Sequence, residues 1–83
     1  MRVQVSTTGL LGKYLPAGSA RNRGTVELGD GDSVQVLLQD LGIPDDGRCR
    51  VILNGDMLPP SDYANTPLRA TDEIVLMAPI TAG

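Results

Sequence analysis

The sequence predicts an α+β fold, in which one main helix packs on one face of a mixed sheet of four or five strands. Several short runs alternate apolar with polar residues, a period that is typical of half-buried strands. One segment instead spaces its apolar residues as an amphipathic helix does, at Val34, Leu37, Leu38 and Leu41. Since a single helix can cover only one face of such a sheet, we expect one hydrophobic core.

The strand pattern occurs in five segments, at residues 2–7, 25–28, 49–53, 57–58 and 73–77. Asn54-Gly55 is a strong signal for a two-residue hairpin turn, so residues 57–58 should form a short edge strand. We expect a short helical turn at residues 10–15, a mobile surface loop at residues 17–24 and an irregular segment at residues 61–70.

The main helix has a start signal and a stop signal. Asp32 and Ser33 precede the apolar stripe and offer side-chain oxygens as caps. Gly42 follows the stripe at a position that favours a left-handed residue, and Pro44 prevents the helix from continuing. The helix is therefore predicted between Ser33 and Gly42.

The final strand is expected to lie within the sheet. Ile74 and Leu76 should point into the core against the helix, because they alternate with the residues of the opposite face. Val75 and Met77 should be at least partly exposed on that opposite face. Pro79 lacks a backbone donor and should end the pairing.

The composition excludes several classes of protein. A chain of 83 residues suits one domain. A net charge of −3 and a pI near 4.5 argue against nucleic-acid binding. No apolar stretch approaches the roughly 20 residues of a membrane span, and the N-terminus lacks the apolar region of a signal peptide, so we expect a cytoplasmic protein. Histidine, the commonest general base and metal ligand, is absent.

Cys49 is the only cysteine, so an internal disulfide is impossible. Two interpretations of this residue are open. Arg48 and Arg50 could lower the pKa of the thiol and make it reactive. Alternatively, Cys49 is a small residue at the edge of a strand, which is the interpretation that we favour.

Residues 79–83 are predicted to form a flexible C-terminal tail on a domain of residues 1–78. The tail closes on Gly83, whose carboxyl carbon is unhindered by a side chain and whose backbone fits a narrow slot. Extended, such a tail reaches roughly 16 Å from the domain. The alternative is an ordinary frayed chain end.

The order of elements resembles the β-grasp, or ubiquitin-like, fold. With the tail included, nearly the whole chain resembles the MoaD/ThiS family of small sulfur-carrier proteins. The resemblance rests on the order and spacing of four segments: GLLGKYLP at 9–16, the leucine-rich helix within 31–44, VILNG at 51–55 and TDEIVLMAPITAG at 71–83.

Two positions depart from the family pattern. Thr7-Thr8 stand near the end of the first strand, where the family usually has a phenylalanine, which implies a smaller hydrophobic surface there. The family normally ends in Gly-Gly, and this chain has Ala82-Gly83. The residue that would be modified, Gly83, is retained.

The resemblance implies a specific chemistry. A separate, ubiquitin-activating-like adenylating enzyme joins the Gly83 carboxylate to AMP from ATP, and a persulfide then replaces AMP to leave a thiocarboxylate. In the MoaD case the sulfur passes to a pterin precursor in the large subunit of a molybdopterin-synthase-like enzyme. The carrier is then not itself an enzyme, binds no cofactor or metal, and is a monomer when free, with no nucleic-acid or membrane partner.

The resemblance also implies which residues serve this chemistry. Gly83 carries the reacting carboxylate. The residues that partners bind are two on the final strand and four in the tail: Val75, Met77, Pro79, Ile80, Thr81 and Ala82.

Three alternatives remain open. The chain could carry sulfur for thiamine or amino-acid synthesis, which is the same chemistry in another pathway. It could instead be a ubiquitin-like modifier that is joined to lysines through Gly83. The last alternative is a β-grasp interaction module whose tail has no function.

Overall fold

The computed structural model describes residues 1–16, 18–43 and 49–78. These residues form the predicted architecture, a five-stranded mixed sheet with one α-helix on one face. The strands are β1 (Arg2–Thr7), β2 (Arg23–Glu27), β3 (Arg50–Leu53), β4 (Asp56–Leu58) and β5 (Glu73–Met77). The helix α1 spans Val34–Leu41, and two 3-10 helices span Gly9–Tyr14 and Pro60–Asn65.

The final strand lies at the centre of the sheet, whose order is β2-β1-β5-β3-β4. β5 runs parallel to β1 on one side and antiparallel to β3 on the other. Ile74 of β5 is therefore paired with both Val5 and Leu53. A strand paired along both edges leaves few backbone groups unsatisfied, so the end of the chain is fixed to the body of the domain as far as this strand extends.

The core lies between α1 and one face of the sheet. Its largest fully buried side chains come from α1 and from three strands: Leu37, Ile74, Leu76, Val3, Val5, Val34 and Val51. The prediction that Ile74 and Leu76 lie in the core with the helix stripe is confirmed. Leu41, the last member of that stripe, is only half-buried at the edge of the cluster.

Both ends of α1 are where the sequence predicts them. The Val36 N–H donates to the Ser33 Oγ over 3.4 Å, which caps the first turn. Gly42 has a φ of 75°, and its N–H donates to carbonyl oxygens of the last turn. Pro44 lies outside the described residues.

The predicted hairpin between β3 and β4 is confirmed. Asn54 and Gly55 have φ values of 52° and 87°, the left-handed pair that a two-residue turn of this kind requires. The Asn54 side chain also bonds the start of β5, since its Oδ1 accepts the Glu73 N–H over 2.9 Å. The turn therefore ties the hairpin to the central strand.

Several strand boundaries differ from the prediction by one or two residues. β3 begins at Arg50 rather than at residue 49, and β4 begins at Asp56 rather than at residue 57. β2 begins at Arg23 rather than at residue 25, because its pairing with β1 extends to Gly24 opposite Val5 and Arg23 opposite Ser6. These residues look like loop in the sequence because an edge strand needs no continuous apolar pattern. Leu28, which the pattern predicts as the last residue of this strand, lies directly after the end of β2 and is still buried.

The segment 61–70, predicted as irregular, begins with the 3-10 helix Pro60–Asn65. A proline is tolerated in the first turn of a helix, where its missing N–H has no partner to lose. The helix holds Tyr63 in the core with 6% of its surface exposed. Its polar residues are typical of turns, which is why the helical pattern is hidden in the sequence. No helix among the described ranges is long and apolar enough to cross a membrane.

Candidate functional site

The central strand presents Val75 and Met77 on the face of the sheet that α1 does not cover. Both are half-buried, whereas the alternating residues Ile74 and Leu76 are fully buried on the other face. This confirms the predicted exposure of the two candidate partner-binding residues on β5. The alternation of side chains along β5 determines which face each residue occupies. A shift of one residue in the pairing register would place Val75 and Met77 in the core and expose Ile74 and Leu76.

Two further apolar residues share this open face, and sequence reasoning missed both as functional candidates. Ile52 of β3 is paired with Val75 on one side and with Met57 of β4 on the other. Met57 is 61% exposed, which places a large apolar side chain in solvent directly beside Ile52. Ile52, Met57, Val75 and Met77 together form what we call the sheet-face patch.

A signal for these two residues does exist in the sequence. The alternation of Val51-Ile52-Leu53 points Ile52 away from a core that holds Val51. A two-residue turn at Asn54-Gly55 then sets Met57 directly opposite Ile52. The pattern predicts each orientation, but only the strand order brings β3 and β4 beside Val75 and Met77.

Charged residues border the sheet-face patch. Arg50 is exposed and paired with Met77, and Glu73 is exposed two residues before Val75 on the same face. Apolar side chains surrounded by charged ones are the usual anatomy of a protein–protein interface. Methionines adapt their shape to different partners, which suits a surface that meets more than one protein.

The patch lies directly before the start of the predicted tail. β5 ends at Met77, and the Ala78 N–H donates to the Thr8 Oγ1 over 2.9 Å. Ala78 is therefore held against the end of β1. The remaining predicted site residues, and with them the predicted flexible tail beyond the 1–78 domain, lie outside the described residues: Pro79, Ile80, Thr81, Ala82 and Gly83.

Thr7, which with Thr8 stands where the family usually has a phenylalanine, is buried and does not belong to the exposed surface. It is 7% exposed, because it continues the inward alternation of Val3 and Val5. Its Oγ1 accepts a hydrogen bond from the Asn22 Nδ2 over 3.0 Å, which satisfies the hydroxyl in this buried position.

Cys49 behaves as a buried structural residue. It is 7% exposed and belongs to the core cluster. Burial raises the pKa of its thiol to about 11, because the thiolate would be poorly solvated there. The effect is opposite to the lowering that neighbouring arginines could cause, so the interpretation of Cys49 as a reactive thiol is wrong.

We expect the folded protein to react slowly with a thiol reagent at pH 8, because the thiolate is the reacting form. Unfolding in urea should expose Cys49 and accelerate the reaction, and an absorbance assay can follow both rates. The raised pKa also makes stability depend on pH. The contribution of the buried, protonated thiol to the free energy of unfolding is complete below about pH 9 and is lost as the pH rises toward about 11. Cys49→Ala is the control that removes the signal, and equal rates in folded and unfolded protein would contradict the burial.

The part of the chain that the structure describes contains no group of three acidic, cysteine or histidine side chains that could hold a metal ion. The features that this region offers are the sheet-face patch and the anchored Ala78, which directly precedes residues 79–83.

The chain matches one protein-family model and several solved structures. The model of the ThiS family matches residues 16–83. Over the full length of both chains, the protein is similar to SAMP1 from Haloferax volcanii, with 16% identity and a TM-score of 0.67. It is also similar, at 25% identity and a TM-score of 0.59, to a chain in the complex of subunits 1 and 2 of the molybdopterin-converting factor from Helicobacter pylori 26695, again with 100% of each chain covered.

A third similar structure is the thiamine biosynthesis protein ThiS from Geobacter metallireducens. It has 17% identity and a TM-score of 0.62, with 98% of this chain and 100% of that one covered. No protein with a curated function matches the sequence significantly. The structural similarities confirm the β-grasp, ubiquitin-like fold.

Proposed function

This chain belongs to the ThiS family, and on that premise we propose that its Gly83 carboxylate is adenylated and then converted to a thiocarboxylate that donates sulfur. Members of the family are small ubiquitin-like carriers or modifiers rather than enzymes. The observation that carries the proposal is the position of β5, which leads from the sheet-face patch directly to Ala78. A partner that binds the patch therefore stands beside the root of residues 79–83.

The chemistry divides one difficult step into easier ones. A carboxylate is a poor electrophile, so an oxygen of Gly83 first attacks the α-phosphorus of ATP and pyrophosphate leaves. A persulfide sulfur then attacks the acyl carbon and AMP leaves. A second thiol cleaves the resulting acyl disulfide, which leaves the sulfur on the carrier as a thiocarboxylate. Every catalytic group belongs to the partners, and the buried thiol of Cys49 is not needed.

We propose molybdopterin synthesis, for a molybdenum or tungsten cofactor, as the pathway. Support comes from the similarity at 25% identity to a chain of the molybdopterin-converting factor, whose two subunits form a complex. The proposed partners are a ubiquitin-activating-like adenylating enzyme, which uses the ATP, and the large subunit of a molybdopterin-synthase-like enzyme. The carrier would be the small subunit of that complex and a monomer when free.

The decisive experiment measures the intact mass of the protein after incubation with the adenylating enzyme of its host, ATP and a sulfur source. A gain that matches one oxygen replaced by sulfur is expected. Omission of ATP is the first control, and a chain that ends at Ala82 is the second. An unchanged mass would contradict the carrier function and leave a passive interaction module.

Other outcomes of the same experiment identify the alternatives. Peptides branched from Gly83 on lysines of other proteins would indicate a modifier. Since Lys13 is the only lysine of this chain, Lys13→Arg separates conjugation to other proteins from conjugation to a second copy. Sulfur transfer from the loaded carrier to a thiamine precursor instead of a pterin would change the pathway and keep the chemistry.

The sheet-face patch provides a prediction on binding. Val75→Asp and Met77→Asp should each raise the dissociation constant for the adenylating enzyme at least about tenfold, because a carboxylate would be buried without a partner in the interface. Binding can be measured by calorimetry. Folding should be largely intact, because both side chains lie on the open face.

A matched control places the same charge on the same face but away from the patch. Thr25 of β2 is exposed and paired with Gln4, at the far side of the sheet. Thr25→Asp should bind as the unchanged protein does. Equal weakening by all three substitutions would show that net charge, rather than the patch, controls binding.

A further inference from the structure

The last regular contact between β1 and β5 lies where both strands end. Thr7 is paired with Leu76, and the Thr8 N–H donates to the Leu76 carbonyl oxygen over 3.0 Å. In a regular parallel ladder, a residue uses both of its backbone groups toward the partner strand. Its N–H donates to one carbonyl oxygen there, and its own carbonyl oxygen accepts the N–H of the residue two positions later on that strand. The regular continuation is therefore a bond from the Ala78 N–H to the Thr8 carbonyl oxygen.

The Thr8 carbonyl oxygen has a different partner. It accepts the Leu11 N–H over 3.2 Å, a bond in the first turn of the 3-10 helix Gly9–Tyr14. Gly9 turns the chain away from the sheet with a φ of 57°, a conformation that favours glycine. A Cβ atom at Gly9 would lie 3.5 Å from the Ala78 Cβ, so this turn passes close to Ala78.

The Thr8 side chain replaces its own carbonyl as the acceptor. The Ala78 N–H donates to the Thr8 Oγ1 over 2.9 Å and joins residues that are 70 positions apart in the chain. Pro79 has no backbone N–H, so Ala78 provides the last backbone donor before residue 80. Among the residues that the structure describes, the Thr8–Ala78 bond is thus the last one that extends this ladder.

The side chain of Asn22 holds the Thr8 segment from the other side. Its Nδ2 donates to the Thr7 Oγ1 over 3.0 Å and to the Gly9 carbonyl oxygen over 3.3 Å. The Thr7 N–H in turn donates to the Asn22 carbonyl oxygen over 2.9 Å. Thr8 therefore lies between two residues that are both fixed, and its hydroxyl has a defined place in front of Ala78.

We propose that Thr8 is a positioning residue for activation of the tail. This inference rests on the proposed function of Gly83. The Thr8–Ala78 bond fixes the residue from which the segment 79–83 starts, so a partner that takes up the tail need not order Ala78 as well. Ordering a residue costs backbone entropy, which the binding energy of the partner would otherwise have to offset.

The kinetic consequence is specific. Ala78 makes the same hydrogen bond before and during the chemical step, so its loss should affect binding of the ground state and of the transition state equally. The KM of the adenylating enzyme for the carrier should rise, and kcat should not change. A hydrogen bond of ordinary strength limits the rise to roughly 2- to 10-fold.

The test compares Thr8→Val with Thr8→Ser. Valine keeps the shape of threonine but cannot accept a hydrogen bond, whereas serine keeps the hydroxyl. Hydrogen exchange of the Ala78 amide, measured by NMR on the whole protein, should be roughly 2- to 10-fold faster in Thr8→Val and close to unchanged in Thr8→Ser. Thr25→Val, which removes a hydroxyl from the distant strand β2, is the matched control.

The adenylation assay gives the second measurement. A raised KM and an unchanged kcat for Thr8→Val, with rescue by Thr8→Ser, support the proposal. Faster exchange at Ala78 without a change in KM would overturn it, as would unchanged exchange. If the unchanged protein is not adenylated at all, the proposed function itself fails, and the positioning role fails with it; the two failures are distinguished by the activity of the unchanged protein.

Discussion

Replacing Leu76 by alanine is expected to lower the free energy of unfolding by about 2–5 kcal/mol, since this is the cost of truncating other buried leucines. Leu76 is 0% exposed and is paired with Thr7 on one side and Val51 on the other, at the centre of the sheet. The cavity would open beneath α1, where neither neighbouring strand can move without breaking its own ladder. Urea denaturation with an unchanged slope would measure the loss.

The neighbouring residue provides the control for this experiment. Met77 differs by one position along the strand but lies half-buried on the open face. Met77→Ala should cost within about 1 kcal/mol, as surface substitutions usually do. If Leu76→Ala were no more destabilising than Met77→Ala, the assignment of the two faces of β5 would be wrong. Since the free energy of unfolding of a native protein is only about 5–15 kcal/mol, the Leu76→Ala variant is expected to be marginally stable.

Adding one residue after Gly83 is expected to abolish activation. The extension moves the reacting carboxylate about 3.3–3.6 Å from the position at which the proposed adenylating enzyme would activate it. Misplacement of about 1 Å already costs roughly 100-fold in rate, so no adenylate should be detectable. Pyrophosphate exchange measures the first step, and intact mass measures the thiocarboxylate.

The residue before Gly83 offers the matched control, because a substitution there leaves the length of the tail unchanged. Ala82→Gly should be tolerated and should cost little beyond the extra conformational entropy of the tail. Ala82→Val should be strongly impaired, because its branched Cβ widens the chain at a position that the family pattern fills with glycine. Equal adenylation of the native, extended and Ala82→Val chains would show that the tail is not the functional site.

Local signals in the sequence were sufficient for much of the fold. The limits of α1 follow from Ser33 and Gly42, whose cap and left-handed conformation depend on a few neighbouring residues. The hairpin follows from Asn54-Gly55 for the same reason. The burial of Leu76 follows from alternation alone, because a one-residue slip would expose the entire apolar side of the strand.

Features that depend on distant segments could not be predicted. Ile52 and Met57 join Val75 in the sheet-face patch only because β3 lies between β4 and β5, and strand order is not written in the period of a single segment. The acceptor role of Thr8 depends on a carbonyl that the 3-10 helix occupies and on Ala78 at the far end of the chain. The 3-10 helix that contains Tyr63 could not be predicted because its polar residues are equally typical of turns, and only the folded chain shows that Tyr63 lies in the core.

The central position of β5 also has a mechanical consequence. A force applied to the chain beyond Ala78 would act along β5, and so across the hydrogen bonds that join it to β1 and to β3. Both ladders would then bear the load in shear and at the same time, whereas an edge strand such as β4 can be peeled away one bond after another. A force applied beyond Ala78 therefore loads two ladders together, and we expect the fold to withstand a partner enzyme that binds the segment after Ala78 under tension.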